Sequence, residues 1–317
     1  MNTKKLGCSD VFVSDQIFGC WAIGGSYFTG AVDSKSIEAM QAAIDLGITT
    51  LDTAPVYGDG HSESLVREAI KSYKREDLSI STKLPSHLLA KNDVRPACEK
   101  SLKTLNQDYV DIYFIHWPSR KGDPIGETME ELMKLKDEGK IRCIGLSNFS
   151  KEQIIEAQKY GDIAVIQPCY SLLWRFSDMD EFAYCRDNNI GIIPYSPLAQ
   201  GILTGKFTKD TVFPADDGRN HAPIFSQPTF GKAIDTVEQL RPFAEKYGVT
   251  LAQLSIGFLM QTPGITAPIV GAKNVDQVRD NQKAGCFTLS KEDYDAIDVI
   301  SKNFAYNMPK FKNFFEA

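Results

Sequence analysis

The sequence predicts a (β/α)8 barrel, one domain over residues 1–317, with an extra C-terminal helix and long loops at the C-terminal face. Three observations carry this. Eight short β-rich runs alternate with longer helical patterns along the chain. Most of these runs are continuously apolar, as strands covered on both faces are. Seven of them end on a polar or otherwise special residue: Asp52, Lys83, His116, Ser147, Gln167, Tyr195 and Gly271. Barrels of this kind build their active sites at those strand ends.

In chain order, strands are expected at Ile17–Gly19, Thr49–Asp52, Leu78–Thr82, Val110–His116, Ile141–Ser147, Ala164–Gln167, Ile190–Tyr195 and Ala267–Val270. Between them, Ile37, Met40 and Ile44 recur at helical spacing, and Met129, Leu132 and Met133 form another stripe. Ser150-x-x-Gln153 resembles a capping box, and Asn274-x-x-Gln277 does so less strictly. Ser62 opens a helix whose Glu63 suits the positive helix end. Gly139 and Gly161 follow helical stretches, where a left-handed residue is expected. Two stretches break the rhythm. A long Gly/Pro-rich loop, including "PADDGRNHAPIFSQPTFG", fills much of 203–231, and a loop of that length is expected to be functional or mobile. A last helix, Ser290–Lys302, leads into the aromatic tail "NFAYNMPKFKNFFEA".

Composition excludes several classes. A net charge of −6 with no long basic run argues against a general nucleic-acid or membrane-surface binder. Seven scattered cysteines, without a CxxC pair, argue against a disulfide framework and for a reducing compartment. The N-terminus lacks the apolar core of a signal peptide, and no apolar run approaches the ~20 residues of a membrane helix. A cytoplasmic protein is the expectation. No Cys/His/carboxylate cluster has metal-ligand spacing, so no metal is expected.

Asp52, Tyr57, Lys83 and His116 suit one chemistry together. A phenol that donates a proton near neutral pH needs help, because a free tyrosine has a pKa of about 10. Lys83 can supply the cation that stabilises the phenolate, Asp52 can hold Lys83, and His116 can orient a carbonyl oxygen. A lowering of about two pH units would be worth about 2.7 kcal/mol. The set suits reduction of an aldehyde or ketone. Each residue alone has a plainer reading: a cap, a turn aromatic, a solvated charge, a core histidine.

The ordered segments "LDTAPVYGDGHSE", "STKLP", "IHWP", "IGLSNFS", "IQPCYSLLWR", "PYSPLAQGILTGKF" and "IVGAKNVDQVRDN" resemble those of the aldo-keto reductase family over essentially the whole chain. They are most similar to its bacterial-type branch, which carries "YSPLxxGxLTGK". The resemblance implies NADPH lying extended across the barrel mouth. It assigns Ser147, Asn148 and Gln167 to the nicotinamide carboxamide and Tyr195 to stacking on the nicotinamide ring. Ser196, Leu198, Gln200, Gly201 and Lys206 belong to the segment that folds over the pyrophosphate. Gly271 and Ala272 allow close backbone approach. Lys273 stands at the ribose 2′-phosphate with Gln277 beside it, and Asn281 at the adenine. Pro168 departs from the pattern, since many relatives carry Asn there. Lys273 stands where close relatives often have Arg, and lysine lacks the bidentate fork. NADPH is therefore expected with NADH tolerated.

Trp21, Tyr27, Phe28, Trp117 and Trp174 are candidates for the substrate pocket. The expected partner is a small carbonyl or sugar, reduced to an alcohol or oxidised in the reverse direction. Two other classes compete: a lysine Schiff-base aldolase or isomerase built on Lys83, and a cofactor-binding regulatory subunit like the reductase-like β subunits of potassium channels. Substrate and oligomeric state are not read from the sequence.

Overall fold

A computed structural model describes residues 2–315, with Ser26, Thr29, Met179, Lys310 and Lys312 excepted. The chain opens with an antiparallel hairpin, β1 (Thr3–Lys5) and β2 (Phe12–Ser14). The sequence reading did not anticipate it, because three residues are too few to show a period. Its Leu6, Val11 and Val13 cluster with Ile112, Phe114, Val165 and Ile269 of the barrel interior, closing one end of the barrel.

Eight parallel strands follow: β3 (Ile17–Gly19), β4 (Thr50–Asp52), β5 (Ser79–Leu84), β6 (Val110–Ile115), β7 (Ile141–Ser147), β8 (Val165–Gln167), β9 (Gly191–Ile192) and β10 (Ile269–Gly271). They pair in chain order, and β10 pairs back onto β3. Backbone bonds from Thr266 N to Ile192 O and from Ile269 N to Pro194 O, both 2.8 Å, join the two remaining edges. The result is the expected (β/α)8 barrel. All eight expected runs contain strands; Ile17–Gly19 and Ile141–Ser147 keep their bounds, and the other six shift at one end or both. Lys83 lies inside β5 rather than after it. β9 is cut to two residues because Pro194 has no N–H for the ladder. Tyr195 is held instead by its N–H on Pro168 O at 2.9 Å.

The apolar runs are continuous because both faces are covered. Along β6, Ile112 and Phe114 join the barrel interior, while Tyr113 and Ile115 join the layer beneath the helices. That layer is built by α1 (Asp33–Asp45), α2 (His61–Ile70), α3 (Lys91–Leu105), α4 (Ile125–Asp137), α5 (Lys151–Gln158), α6 (Glu181–Asp187), α7 (Thr229–Tyr247), α8 (Leu251–Gln261) and α9 (Val275–Gln282). The extra C-terminal helix is α10 (Lys291–Asn307), longer than expected and packed on α7. Among the described residues, no helix is long and apolar enough to cross a membrane.

Local signals divide. The Ser150–Gln153 capping box forms in both directions. Asn274 caps α9, but the Gln277 side chain accepts from Lys273 N at 2.8 Å, so the box is only half made. Gly139 is left-handed, with φ +76°. Gly161 is not, contrary to expectation. It is required by space, since a Cβ there would stand 2.6 Å from Met133 Sδ. The long loop is packed rather than loose. It folds into short 3-10 turns around Phe207, Phe213, Phe225 and Phe230.

Candidate active site

The ends of β4, β5 and β6 bring the four expected residues together. Lys83 Nζ donates to Asp52 Oδ2 at 2.7 Å, to Thr53 O at 2.8 Å and to Tyr57 Oη at 3.2 Å. The His116 ring stands edge-on to Tyr57, with centroids 5.8 Å apart. Tyr57 reaches this place on a sharp turn after β4. Gly58 has φ +70°, and a Cβ on Gly24 would meet the Tyr57 backbone at 2.9 Å. The two loops therefore dock backbone to backbone.

Burial would drive Lys83 to lose its proton, but the facing Asp52 carboxylate and the Tyr57 oxygen outweigh it and raise its pKa. An ammonium with three acceptors has no lone pair to attack a carbonyl. The Schiff-base alternative therefore has no nucleophile here. Burial raises the Tyr57 pKa, and Lys83 opposes this without overcoming it. The expected net lowering does not occur, because the phenol loses more hydration than one shared cation returns. Burial, helped by Lys83, holds His116 well below its usual range. His116 is thus a neutral imidazole able to donate one hydrogen bond.

On the far side of the barrel the three carboxamide candidates bind one another. Ser147 Oγ donates to Gln167 O at 2.8 Å. Asn148 Nδ2 donates to His116 O and to Ser147 Oγ, both at 3.0 Å, and Asn148 Oδ1 accepts from Tyr195 Oη at 2.8 Å. Gln167 Nε2 donates to Asp52 Oδ1 at 3.0 Å. What remains for a ligand is acceptor capacity on each, plus one amide N–H of Gln167.

The outer segments are pre-shaped for an anion. Ser196, Ala199 and Gln200 all have positive φ, which turns the backbone sharply beside Leu198 and Gly201. The Gln200 Nε2 atom is buried without a partner, while its Oε1 accepts from Tyr27 Oη at 3.2 Å. Lys206, Arg219 and Lys273 gather nearby. Arg219 and Lys273 lie 5.7 and 5.6 Å from the same Phe28 ring centroid. Burial, and then repulsion from Arg219, lowers the pKa of both lysines. Asp217 is tied up by Arg219 through bonds of 2.8 and 2.6 Å. Three cations and an orphaned donor fit a phosphate-bearing dinucleotide. Arg219 was missed in the sequence, where one arginine in a long loop gives no signal. Gly271 is exposed at the strand end, Ala272 is buried beneath it, Gln277 is exposed, and Asn281 is buried with Nδ2 directed at Gly271 O.

The aromatic candidates separate. Trp21 packs at 4.6 Å from Tyr27, 5.0 Å from Phe28 and 6.3 Å from Tyr57. The tail returns to this place: Phe315 stands 5.6 Å from Trp21, 6.3 Å from Trp117 and 6.4 Å from Tyr195, parallel to the last ring within 9°. Trp174 is buried under Phe176, Phe311 and Phe314, and among the described residues it reaches the others through the tail. His61 pairs with Asp33 on the surface, outside the site.

The aldo/keto reductase family matches residues 17–302. The chain is similar to the aldo-keto reductase YhdN of Bacillus subtilis (strain 168), with 39% identity over 295 residues, 90% of this chain and 89% of the relative. It is similar to the NADH-specific methylglyoxal reductase of Escherichia coli (strain K12), with 35% identity over 315 residues, 92% and 96% of the two chains. Its fold matches the structure of the glycerol dehydrogenase AKR11B4 from Gluconobacter oxydans with a TM-score of 0.87, 32% identity and 97% coverage of each chain. A whole-length match on a closed eight-stranded barrel leaves one conclusion: the chain belongs to the aldo/keto reductase family, oxidoreductases that reduce carbonyl compounds with NAD(P)H.

Proposed function

We propose that this protein reduces a short aldehyde or ketone, of the three-carbon or small polyol class, with NADPH preferred and NADH tolerated. The observation that carries the reading is the Tyr57 hydroxyl 3.2 Å from a lysine ammonium that Asp52 holds sealed from water. Lys206, Arg219 and Lys273 would hold the phosphates, and the Tyr195 face would carry the nicotinamide, which supplies the hydride when bound. Tyr57 gives its proton to the carbonyl oxygen as charge grows there. Lys83 stabilises the phenolate left behind. Neutral His116 donates a hydrogen bond to the same oxygen. Trp21, Trp117 and Phe315 wall the mouth, which favours a small substrate. Similarity to a methylglyoxal reductase and to a glycerol dehydrogenase points to the same size class, and the latter keeps the reverse direction in view.

The test is a titration with NADPH and NADH followed by nicotinamide fluorescence, then turnover on a panel of aldehydes, ketones and polyols. Tyr57→Phe should cut turnover at least ~10²-fold while leaving cofactor affinity within a few-fold. Near-native turnover in that variant would refute the proton-donor role.

A further inference from the structure

The proton-donor side and the cofactor side of the barrel mouth are joined by one side chain. Asp52 uses both carboxylate oxygens. Oδ2 takes Lys83, and Oδ1 accepts from Ser81 Oγ at 2.6 Å and from Gln167 Nε2 at 3.0 Å. Gln167 comes from β8, across the barrel from β4, and only 2% of it is exposed. Its amide orientation follows from chemistry. A carboxylate oxygen only accepts, so the atom facing Asp52 must be the nitrogen. The opposite end, Oε1, has no hydrogen bond among the described residues and is not among the sealed, unpartnered atoms. It therefore keeps some accessible surface. Meanwhile the Gln167 backbone oxygen accepts from Ser147 Oγ, which continues through Asn148 to Tyr195. A continuous hydrogen-bonded path thus runs Tyr57, Lys83, Asp52, Gln167, Ser147, Asn148, Tyr195.

We propose that Gln167 is a positioning residue that sets the proton donor. Its amide N–H fixes the rotation of Asp52, so that Lys83 stays aimed at Tyr57, while its amide oxygen faces the cofactor's carboxamide. The second half of this statement rests on the function proposed above, and the first half does not. Ser81 and Gln167 share Oδ1 from opposite sides of the barrel, and Lys83 holds Oδ2. Without the Gln167 donor Oδ1 keeps one bond of two, the carboxylate is held less firmly, the Lys83–Tyr57 contact loosens, and the phenolate loses support. Cofactor engagement at Oε1 would then tighten the same amide that orients Asp52, so that binding and proton delivery are coupled.

The variants are Gln167→Met, which keeps the shape and removes both polar ends, and Gln167→Glu. At the pH where a phenol ionises, the glutamate carries no proton, so it keeps the length of the side chain and offers no donor. The first readout needs no cofactor. Ultraviolet difference titration against Tyr57→Phe isolates the phenolate step of Tyr57. Gln167→Met should move that step to higher pH by about half a pH unit or more, the scale expected for losing one hydrogen bond to a charged group. Gln167→Glu should move it to higher pH as well, because its carboxylate offers no donor and repels the phenolate. The second readout is turnover at saturating cofactor, where Gln167→Met should lose about tenfold in kcat, with carbonyl KM nearly unchanged. An unmoved phenolate step in a Gln167→Met protein that melts like the parent overturns the proposal. A change confined to cofactor affinity overturns it too, and leaves Gln167 as a cofactor contact only. Failure of the parent to bind either dinucleotide is a separate result that sinks the functional reading, while the cofactor-free titration still decides the link to Asp52.

Discussion

Lys83→Met removes one half of a sealed ion pair and leaves the other half behind. In the native structure Nζ serves Asp52, Thr53 O and Tyr57, and the two paired side chains are 0% and 4% exposed. Methionine fills the volume and offers no donor. Asp52 Oδ2 is orphaned, while Oδ1 keeps Ser81 and Gln167. Water cannot enter to replace the ammonium, so the cost is that of an uncompensated buried charge, about 3–5 kcal/mol. That is a large share of the roughly 5–15 kcal/mol that holds a protein folded. The double variant Asp52→Asn/Lys83→Met carries no buried charge and should return to within about 2 kcal/mol of native stability. Urea unfolding followed by tryptophan fluorescence measures both, provided the slope with denaturant is unchanged. Acidification adds a signature. As the orphaned carboxylate takes up a proton it comes to resemble the asparagine, so the gap between single and double variants should close as pH falls. Equal instability of the two variants, or a single variant within about 1 kcal/mol of native, would refute the sealed-pair argument.

The remaining predictions are shorter. His116 is held well below its ordinary value of 6.5, so the unfolded chain takes up a proton that the folded one refuses. Stability from this residue is present above pH 6.5 and is lost as pH falls toward the depressed value; His116→Gln should flatten that acid arm in a melting series, and an unaltered arm would exclude His116 as its cause. Arg219→Ala or Lys273→Ala should weaken NADPH about tenfold and NADH less, by fluorescence titration, because each removes one of three clustered cations. Equal losses for both dinucleotides would mean that these side chains do not meet the 2′-phosphate. Phe315→Ala should raise the kcat/KM ratio of an aromatic aldehyde over a three-carbon carbonyl about tenfold, since Phe315 narrows the space among Trp21, Trp117 and Tyr195. An unchanged ratio would place the tail outside the pocket.

Particular residues show how much was legible in advance. The eight strands were readable because strands covered on both faces must be apolar throughout, and their polar end residues stand out against that background. Asp52, Tyr57, Lys83 and His116 were readable for the same reason, and they meet as expected. The hairpin of β1 and β2 was not, because three-residue strands carry no period. Gly161 was read as a backbone requirement when it is a spatial one, which only Met133 reveals. Arg219 was invisible as a candidate site residue because it arrives from a segment whose path the local sequence does not set.

The division has one physical root. Periodicity, strand-end chemistry and cap signals act over a few residues, so the chain by itself determines its barrel, its family and the proposed proton donor. Which side chains share a hydrogen bond across the barrel depends on strands far apart in sequence. The Gln167–Asp52 bond joins residues 115 positions apart. The direction of the Tyr57 shift likewise comes from the balance of burial against one nearby cation. Solvent exclusion and long-range contact exist only once the barrel has closed, and only the tertiary structure could decide them.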